Sequence, residues 1–241
     1  MGKTDGVHLD RYSLVDVFPI SFRHIAKERE DFEKTPDMTS RLLSKNEIAL
    51  VCTFETKETG TRLVIANVHL HWNPRLPDVK LVQAALMVDE IDKIVNRFAT
   101  QTAGEIDKIV NRQTAREKPA PVYTDGYKIP LIICGDFNSI PDSGVYKYLS
   151  TGSIPPNHPD FGSYTYGTYT SEGTKHYLGL KSAYSLMENP PMTIYTPRFR
   201  GVIDYIWFST QNLSVNAVLG GVDKQYLDRV VGFPDDHFPS E

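Results

Sequence analysis

The stretch IICGDFNSIPDSGVY, residues 132–146, joins an apolar run to a polar loop that carries Asp136 and Asn138, and then to a short helical pattern. The apolar run predicts a buried strand, and side chains two residues apart at its end point the same way. One carboxylate and one carboxamide supply the oxygen ligands that a hard cation such as Mg²⁺ prefers. The alternative is an Asx turn, in which either side chain bonds its own backbone. These residues alone leave the two interpretations level.

Other apolar, β-branched runs predict the rest of a sheet. IALVCTF (48–54) and RLVIANVHL (62–70) are separated by KETG, which predicts a hairpin. IPLIICG (129–135) leads into the opening stretch, and VIDYIWFS (202–209) with SVNAVLGG (214–221) predicts a final strand pair. Strands and helices follow no regular β-α-β rhythm. The pattern therefore favours an α/β fold with mixed sheets, or a layered sandwich, over a parallel doubly wound fold.

One long helix is predicted between these strands. Apolar residues recur at helical spacing through residues 78–97, with charged residues on the opposite face, and Asp78 is a candidate N-cap. This helix is expected to pack on the sheet.

The octapeptide EIDKIVNR occurs at 90–97 and again, letter for letter, at 105–112. A single repeat is not a solenoid, so a local duplication or a gene-model error is the better explanation. Residues 98–128 are expected to form an exposed insertion.

Composition excludes several classes of protein. The chain has 241 residues, which suits one domain, and its net charge of −4 means that a polyanion would need a local site rather than a basic face. Its two cysteines, Cys52 and Cys134, lie in apolar runs, which predicts buried thiols in a reducing compartment. No apolar stretch approaches the ~18 residues of a membrane span, and no signal-peptide pattern is present. A cytoplasmic or nuclear protein without a membrane partner is expected.

Four further residues could carry chemistry. His69 and His71 alternate onto one side of a strand end, where phosphate binding or proton handling competes with zinc, for which no third soft ligand is in view. A single strand histidine is more often structural. Asp204 lies in an apolar strand and needs a histidine, a metal or a water as partner. Phe199, just before it, suits the core and base stacking equally.

Taken in order, five stretches carry a resemblance: NVHLHWNP, DVKLVQAALMVDEI, IPLIICGDFNSIPDSGVYKYL, FRGVIDYIWFS and GFPDDHFPS. They resemble the endonuclease/exonuclease/phosphatase superfamily, and within it the carbon-catabolite-repression type of poly(A) deadenylase, the nuclease of the Ccr–Not complex. The resemblance covers most of residues 47–240. It implies a layered α/β sandwich and Mg²⁺-dependent removal of AMP from the 3′ end of single-stranded poly(A) RNA.

The resemblance also implies a role for six residues. They are Asp136 and Asn138 for metal and phosphate, His69 for phosphate, Asp204 for orienting a catalytic histidine, and Pro74 with Phe199 for clamping an adenine. Such a clamp suits base stacking in a single-strand site.

The sequence departs from this family in three places. Asn73 stands where the family has Asp, and neither the Gln-Glu pair with the main metal glutamate nor the Asp-His pair with the catalytic histidine has a counterpart. Residues 1–241 are therefore expected to be one partial domain, truncated at both ends and missing its first strands. Asp236 and His237 precede HFPS, whereas the family's pair follows it, so both are expected in the preceding loop.

Three functions remain open at this point. The first is a Mg²⁺-dependent 3′-to-5′ exoribonuclease on poly(A), and the second is a related phosphodiesterase on a small nucleotide or phospholipid. The third is a catalytically dead remnant or an incomplete gene model. Losing one member of a hydrolytic constellation typically costs several orders of magnitude in rate, so little activity is expected of the isolated chain. The family's leucine-rich repeats are absent from this sequence, so membership of a Ccr–Not-type complex is not carried over.

Overall fold

The computed structural model describes residues 10–100, 120–187 and 192–237. The strands in these ranges are β1 (Tyr12–Ser21), β2 (Ile48–Thr56), β3 (Arg62–His69), β4 (Leu131–Asp136), β5 (Ser153–Ile154), β6 (Thr174–Lys175), β7 (Leu180–Ser182), β8 (Ile194–Tyr195), β9 (Arg200–Gly201) and β10 (Asp204–Ser209). Six of them form one sheet in the order β1-β2-β3-β4-β10-β7, and β5-β6 and β8-β9 form two small pairs. β3 and β4 are parallel and the other pairs are antiparallel. The predicted α/β fold with a mixed sheet is confirmed.

The helices lie between and beside these strands. They are α1 (Phe22–Glu28), α2 (Pro36–Met38), α3 (Pro77–Thr100), α4 (Gly144–Thr151), α5 (Thr168–Ser171) and α6 (Lys224–Leu227), with a π-helical turn at Thr39–Leu43 and 3₁₀ turns at Gly126–Lys128 and Pro159–Phe161. α4 begins after the N-cap Ser143, whose hydroxyl accepts a bond from the Tyr146 amide, and ends at Gly152 in the left-handed region. No described helix is long and apolar enough to cross a membrane.

The long helix α3 forms as predicted, but its start differs. It begins at Pro77, a residue favoured in the first turn, so Asp78 lies inside the helix and the N-cap prediction was wrong. The buried Asp78 carboxylate instead pairs with Arg41, at 2.6 Å between Nη2 and Oδ1. α3 runs to Thr100, and Phe98, inside the predicted insertion, is buried. The second octapeptide copy lies outside the described residues.

One face of the sheet forms the core with α3. Val64, Ala66, Ile133 and Trp207 are fully buried in one apolar cluster with the helix, and each large side chain buried there contributes about 1.5–3 kcal/mol. Alternate residues of the strands in this sheet, including β2, point to the other face. There Ile48, Leu50 and Ile206 are 52%, 42% and 45% exposed.

The prediction missed the strand β1. This strand pairs antiparallel with β2 along Tyr12–Ser21, with an irregularity between Leu14 and Asp16. Pro19 and the irregular register break the alternating pattern, and an edge strand tolerates both. The first residues of the chain were therefore harder to assign than the central strands.

The predicted final strand pair was wrong. Residues 214–221 form no strand, and Leu219 is 83% exposed. β10 bonds β4 on one side and β7 on the other, so neither of its edges is available for a further strand.

The charged run at residues 27–34 begins in α1 and is mostly exposed, but Arg29 within it is half-buried. The Arg29 guanidinium bonds Asp31 at 2.8 Å and Asp89 of α3 at 3.1 Å, and it lies over the Tyr169 ring. This network fastens the segment after α1 to α3.

Candidate active site

Three of the residues with an implied catalytic role lie in one row across the sheet. In the registers of β3, β4 and β10, His69 pairs with Asp136 and Asp136 pairs with Asp204. Cross-strand partners share a face of the sheet, so these side chains all project from the face opposite the core. The His69 Nε2 atom is 3.5 Å from Asp136 Oδ2, and the His69 side chain is 70% exposed. The row is therefore open to a ligand.

The loop after β4 is compatible with both interpretations of Asp136 and Asn138, the Asx turn and the metal ligands. Asp136 Oδ1 accepts a bond from the Asn138 amide at 2.7 Å, so the Asx turn is present. The other oxygen faces His69, and Asn138 Nδ2 donates to the Leu70 carbonyl at 2.8 Å. The side-chain oxygen of Asn138, Oδ1, takes part in neither of these bonds. The turn therefore orients oxygen atoms and does not exclude a ligand role.

Gly135 explains why the row can form. A Cβ atom at this position would lie 1.9 Å from the Val68 carbonyl oxygen, and its φ is +139°. Only glycine allows β4 to approach β3 so closely at the end that carries the site.

Sequence reasoning missed Lys80, in the first turns of α3. Its ammonium donates to the Asn138 carbonyl at 2.6 Å, and the residue as a whole is 7% exposed. Asn138 has a φ of +48°, an uncommon backbone conformation for a residue other than glycine, and this bond helps to hold it. Burial lowers the pKa of Lys80, an effect that the charges of Asp160 and Asp136 partly offset.

Both residues of the predicted adenine clamp line the same cavity. Pro74 and Phe199 both line a cavity of about 570 Å³, which also reaches Asn138 and Lys80. Phe199 is 42% exposed, and its backbone amide donates to the Thr196 hydroxyl at 3.0 Å. The structure thus places the two clamp residues beside the loop that carries Asn138.

His71 differs from His69 in its surroundings. His71 is buried, its Nδ1 atom is 2.7 Å from Glu47 Oε1, and its amide donates to Gln83 Oε1 at 2.9 Å. Gln83 Nε2 also donates to the second Glu47 oxygen at 3.1 Å. Burial raises the pKa of Glu47, but hydrogen bonds from His71, its own backbone and Gln83 outweigh that effect and lower it. His71 therefore fixes the backbone that follows His69.

Asp204 and the C-terminal pair lie in different surroundings. Asp204 is half-buried and borders a cavity of about 300 Å³ with Cys134 and Thr193, and its amide donates to the Thr193 hydroxyl at 3.1 Å. Asp236 and His237 lie in a bend after α6, where the His237 ring packs against Tyr226.

The site offers part of a metal shell. Asp136 and Asn138 present oxygen atoms, the ligand type of Mg²⁺. Within the described ranges no group of three His, Cys, Asp or Glu side chains is placed to hold a metal, so the described residues also give no support to zinc. A cation that keeps several water or phosphate ligands suits such a site, because Mg²⁺ is commonly bound through one or two protein ligands.

Comparison with known proteins places the fold and the site in context. The sequence pattern of the endonuclease/exonuclease/phosphatase family matches residues 105–228. The chain belongs to this family. Nucleases of the family generally depend on a divalent metal, which agrees with the oxygen donors of the loop after β4.

Two curated relatives are fungal. The chain is 45% identical, over 96% of its length, to the CCR4-Not complex 3'-5'-exoribonuclease subunit Ccr4 of Mycosarcoma maydis. It is 46% identical, over 88% of its length, to the protein of that name from Schizosaccharomyces pombe. It covers 34% and 30% of these two proteins, so it spans about a third of the length of these relatives.

Solved structures share the fold. Two crystal structures of ANGEL2, described as a 2',3'-cyclic phosphatase, superpose with TM-scores of 0.53 and 0.54 at 23% and 22% identity. The match covers 83% and 84% of this chain and 56% of the ANGEL2 chain in each case. At this identity the likeness supports the family fold alone.

Proposed function

We propose that this chain carries the site of a Mg²⁺-dependent 3′-to-5′ exoribonuclease that shortens poly(A). The observation that carries the proposal is the adjacency of two features. Asp136, in the middle of the row, bonds the backbone amide of Asn138, and Asn138 lines the cavity of Pro74 and Phe199. The names of the fungal relatives, which are 3'-5'-exoribonuclease subunits of the CCR4-Not complex, support the same activity.

The substrate is single-stranded RNA that ends in adenosine. The terminal base lies between Pro74 and Phe199, since a flat apolar surface and an exposed aromatic ring suit stacking without pairing. The terminal phosphodiester then lies near Asn138 and His69. Because the chain carries a net charge of −4, the phosphate is held by these local groups and not by a basic surface.

The side chains of the row divide the work. Asp136 and Asn138 hold Mg²⁺, which when bound polarises the phosphoryl group. The imidazole of His69 donates a hydrogen bond to a phosphate oxygen, and Lys80 keeps the Asn138 backbone in place. Asp204, at the far end of the row, orients a proton-carrying group. We also propose a partner of the CCR4-Not type and a cytoplasmic or nuclear location.

The test is a shortening ladder with 5′-labelled oligo(A) and Mg²⁺. Because the family's Gln-Glu and Asp-His pairs have no counterpart, we expect the parent to shorten oligo(A) only slowly, and Asp136→Ala should abolish the remaining shortening. Glu58→Gln, an exposed carboxylate in the turn between β2 and β3, is the matched control and should match the parent. EDTA should stop shortening, and Phe199→Ala should reduce the preference for oligo(A) over oligo(U). No shortening by folded parent protein would favour the catalytically dead remnant instead.

A further inference from the structure

A second cavity adjoins the adenine clamp. It has a volume of about 540 Å³, and its lining includes Ser44, Lys45, Asn46, Glu47, His69 and Trp72. We call it the Lys45 cavity. Trp72 also lines the cavity of Pro74 and Phe199, so the two cavities meet at this side chain. Trp72 is 68% exposed, which leaves much of its indole surface available to a ligand.

His69 and the loop after β4 lie beside the two cavities. His69 lines the Lys45 cavity, whereas Asn138 lines the clamp cavity. Asp136 touches both residues, at 3.5 Å to His69 Nε2 and 2.7 Å to the Asn138 amide. A phosphate that lies between His69 and Asn138 therefore has one cavity on the His69 side and the other on the Asn138 side.

This arrangement matches what removal of a terminal nucleotide requires. The bond to be cleaved joins the terminal nucleoside to its 5′ neighbour, so the two nucleotides lie on opposite sides of the reacting phosphate. Resting on the proposed function, we propose that the Lys45 cavity binds the penultimate nucleotide of single-stranded RNA. Trp72 stacks on its base, and Lys45 contacts the phosphate on its 5′ side.

The charges of the cavity suit this ligand. Lys45 is half-buried and forms no ion pair in the part of the chain that the structure describes, so its ammonium is available to a phosphate. Arg23, which donates to Asn46 Oδ1 at 3.4 Å, adds a second cation nearby. Glu47 is the acid of the lining, and both of its oxygens already accept bonds from His71 and Gln83. These two bonds hold the Glu47 side chain in place at the side of the cavity.

The test compares two ligands, AMP and the dinucleotide pApA, by calorimetric titration in EDTA, where no metal supports hydrolysis. We expect the parent to bind pApA more tightly than AMP by about five- to a hundredfold, the range of one stacked base. Lys45→Gln should lower this ratio and reduce the salt slope of pApA binding by about 0.7. Lys45→Arg should restore both. Trp72→Ala should bring the ratio towards one, and Trp72→Phe should keep most of it.

Two controls separate this site from the clamp. Lys175→Gln, an exposed lysine of β6, should bind both ligands like the parent. Phe199→Ala should weaken both by the same factor and keep the ratio. If the parent binds AMP and pApA equally, or if Lys45→Gln weakens both equally, the second nucleotide site is wrong and the proposed function stands. If the folded parent binds neither ligand in EDTA, the second site is wrong, and the shortening ladder with Mg²⁺ separately decides the proposed function.

Discussion

On one face of the six-stranded sheet, Val64, Ile133 and Trp207 are fully buried against α3. On the other face, Leu50 of β2 and Ile206 of β10 are equally apolar but are 42% and 45% exposed. The strands place alternate residues on opposite sides, so one sequence pattern produces both environments.

The candidate site belongs to the exposed face. His69, Asp136 and Asp204 alternate with core residues along their strands, so the covered face fixes their backbones while their side chains meet solvent. The comparison teaches that rigidity and access come from opposite sides of the same strands. If that is correct, the same chemical substitution should lower the free energy of unfolding much more on the buried face than on the exposed face.

The largest effect is expected at the start of α3, the helix that packs on the buried face, where Asp78 pairs with Arg41. Asp78→Ala leaves Arg41 without its buried partner, and the loss of one member of a buried pair costs about 3–5 kcal/mol. Urea denaturation measures the free energy of unfolding. The control is Glu90→Ala, also on α3, whose pair with the exposed Lys93 should contribute at most about 1 kcal/mol. Equal losses in the two variants would mean that α3 is not held at its start.

The next prediction compares the two faces with one chemical change. Ile133→Ala removes buried methyl groups and should cost about 2–5 kcal/mol. Ile206→Ala makes the same change on the neighbouring strand, at a side chain 45% exposed, and should cost less than about 1 kcal/mol. A loss at Ile206 as large as that at Ile133 would show that the second face is covered in solution, and the comparison would fail.

The sequence predicted the central strands better than their arrangement. β2, β3, β4 and α3 follow from apolar periodicity, because their burial is strong and regular. Periodicity does not state which strands are neighbours, so the row of His69, Asp136 and Asp204 could not be derived from it. Only the family resemblance grouped those residues beforehand.

Other features depend on tertiary structure. The Lys80 bond to Asn138 joins residues 58 positions apart, and a lysine at the start of a helix carries no sign of such a contact. Residues 214–221 have a strand-like composition, but both edges of β10 are already occupied. Pro19 breaks the strand pattern of β1, and an edge strand tolerates a proline. In each case a neighbour distant in sequence decides the local structure.

The third prediction concerns how the site end of the exposed face is held. Glu47 has a pKa below its ordinary value of 4.5, so its bonds to His71 and Gln83 stabilise the fold above that pH and fade as the pH falls below it. The free energy of unfolding should therefore drop less between pH 7 and pH 4 in Glu47→Gln than in the parent. Glu58→Gln should follow the parent. Identical pH profiles for the parent and Glu47→Gln would mean that the Glu47 carboxylate does not stabilise the fold.

The smallest effect is a rate of thiol modification. Cys52 and Cys134 are free, half-buried thiols on the exposed face, where they alternate with the buried Val51 and Ile133. Burial raises the pKa of both thiols, so each should react with a small disulfide reagent more slowly than a free cysteine, because less thiolate is present. Both should nevertheless react without denaturant, giving two modified thiols per chain.

The two single variants, Cys52→Ser and Cys134→Ser, assign the two phases of this reaction. Cys134 lines the cavity of about 300 Å³ beside Asp204, so its phase should slow when a bulkier reagent is used, whereas that of Cys52 should change less. Two thiols that react only after urea is added would mean that this face is covered in solution. In that case His69, Asp136 and Asp204 could not reach solvent through this face of the sheet.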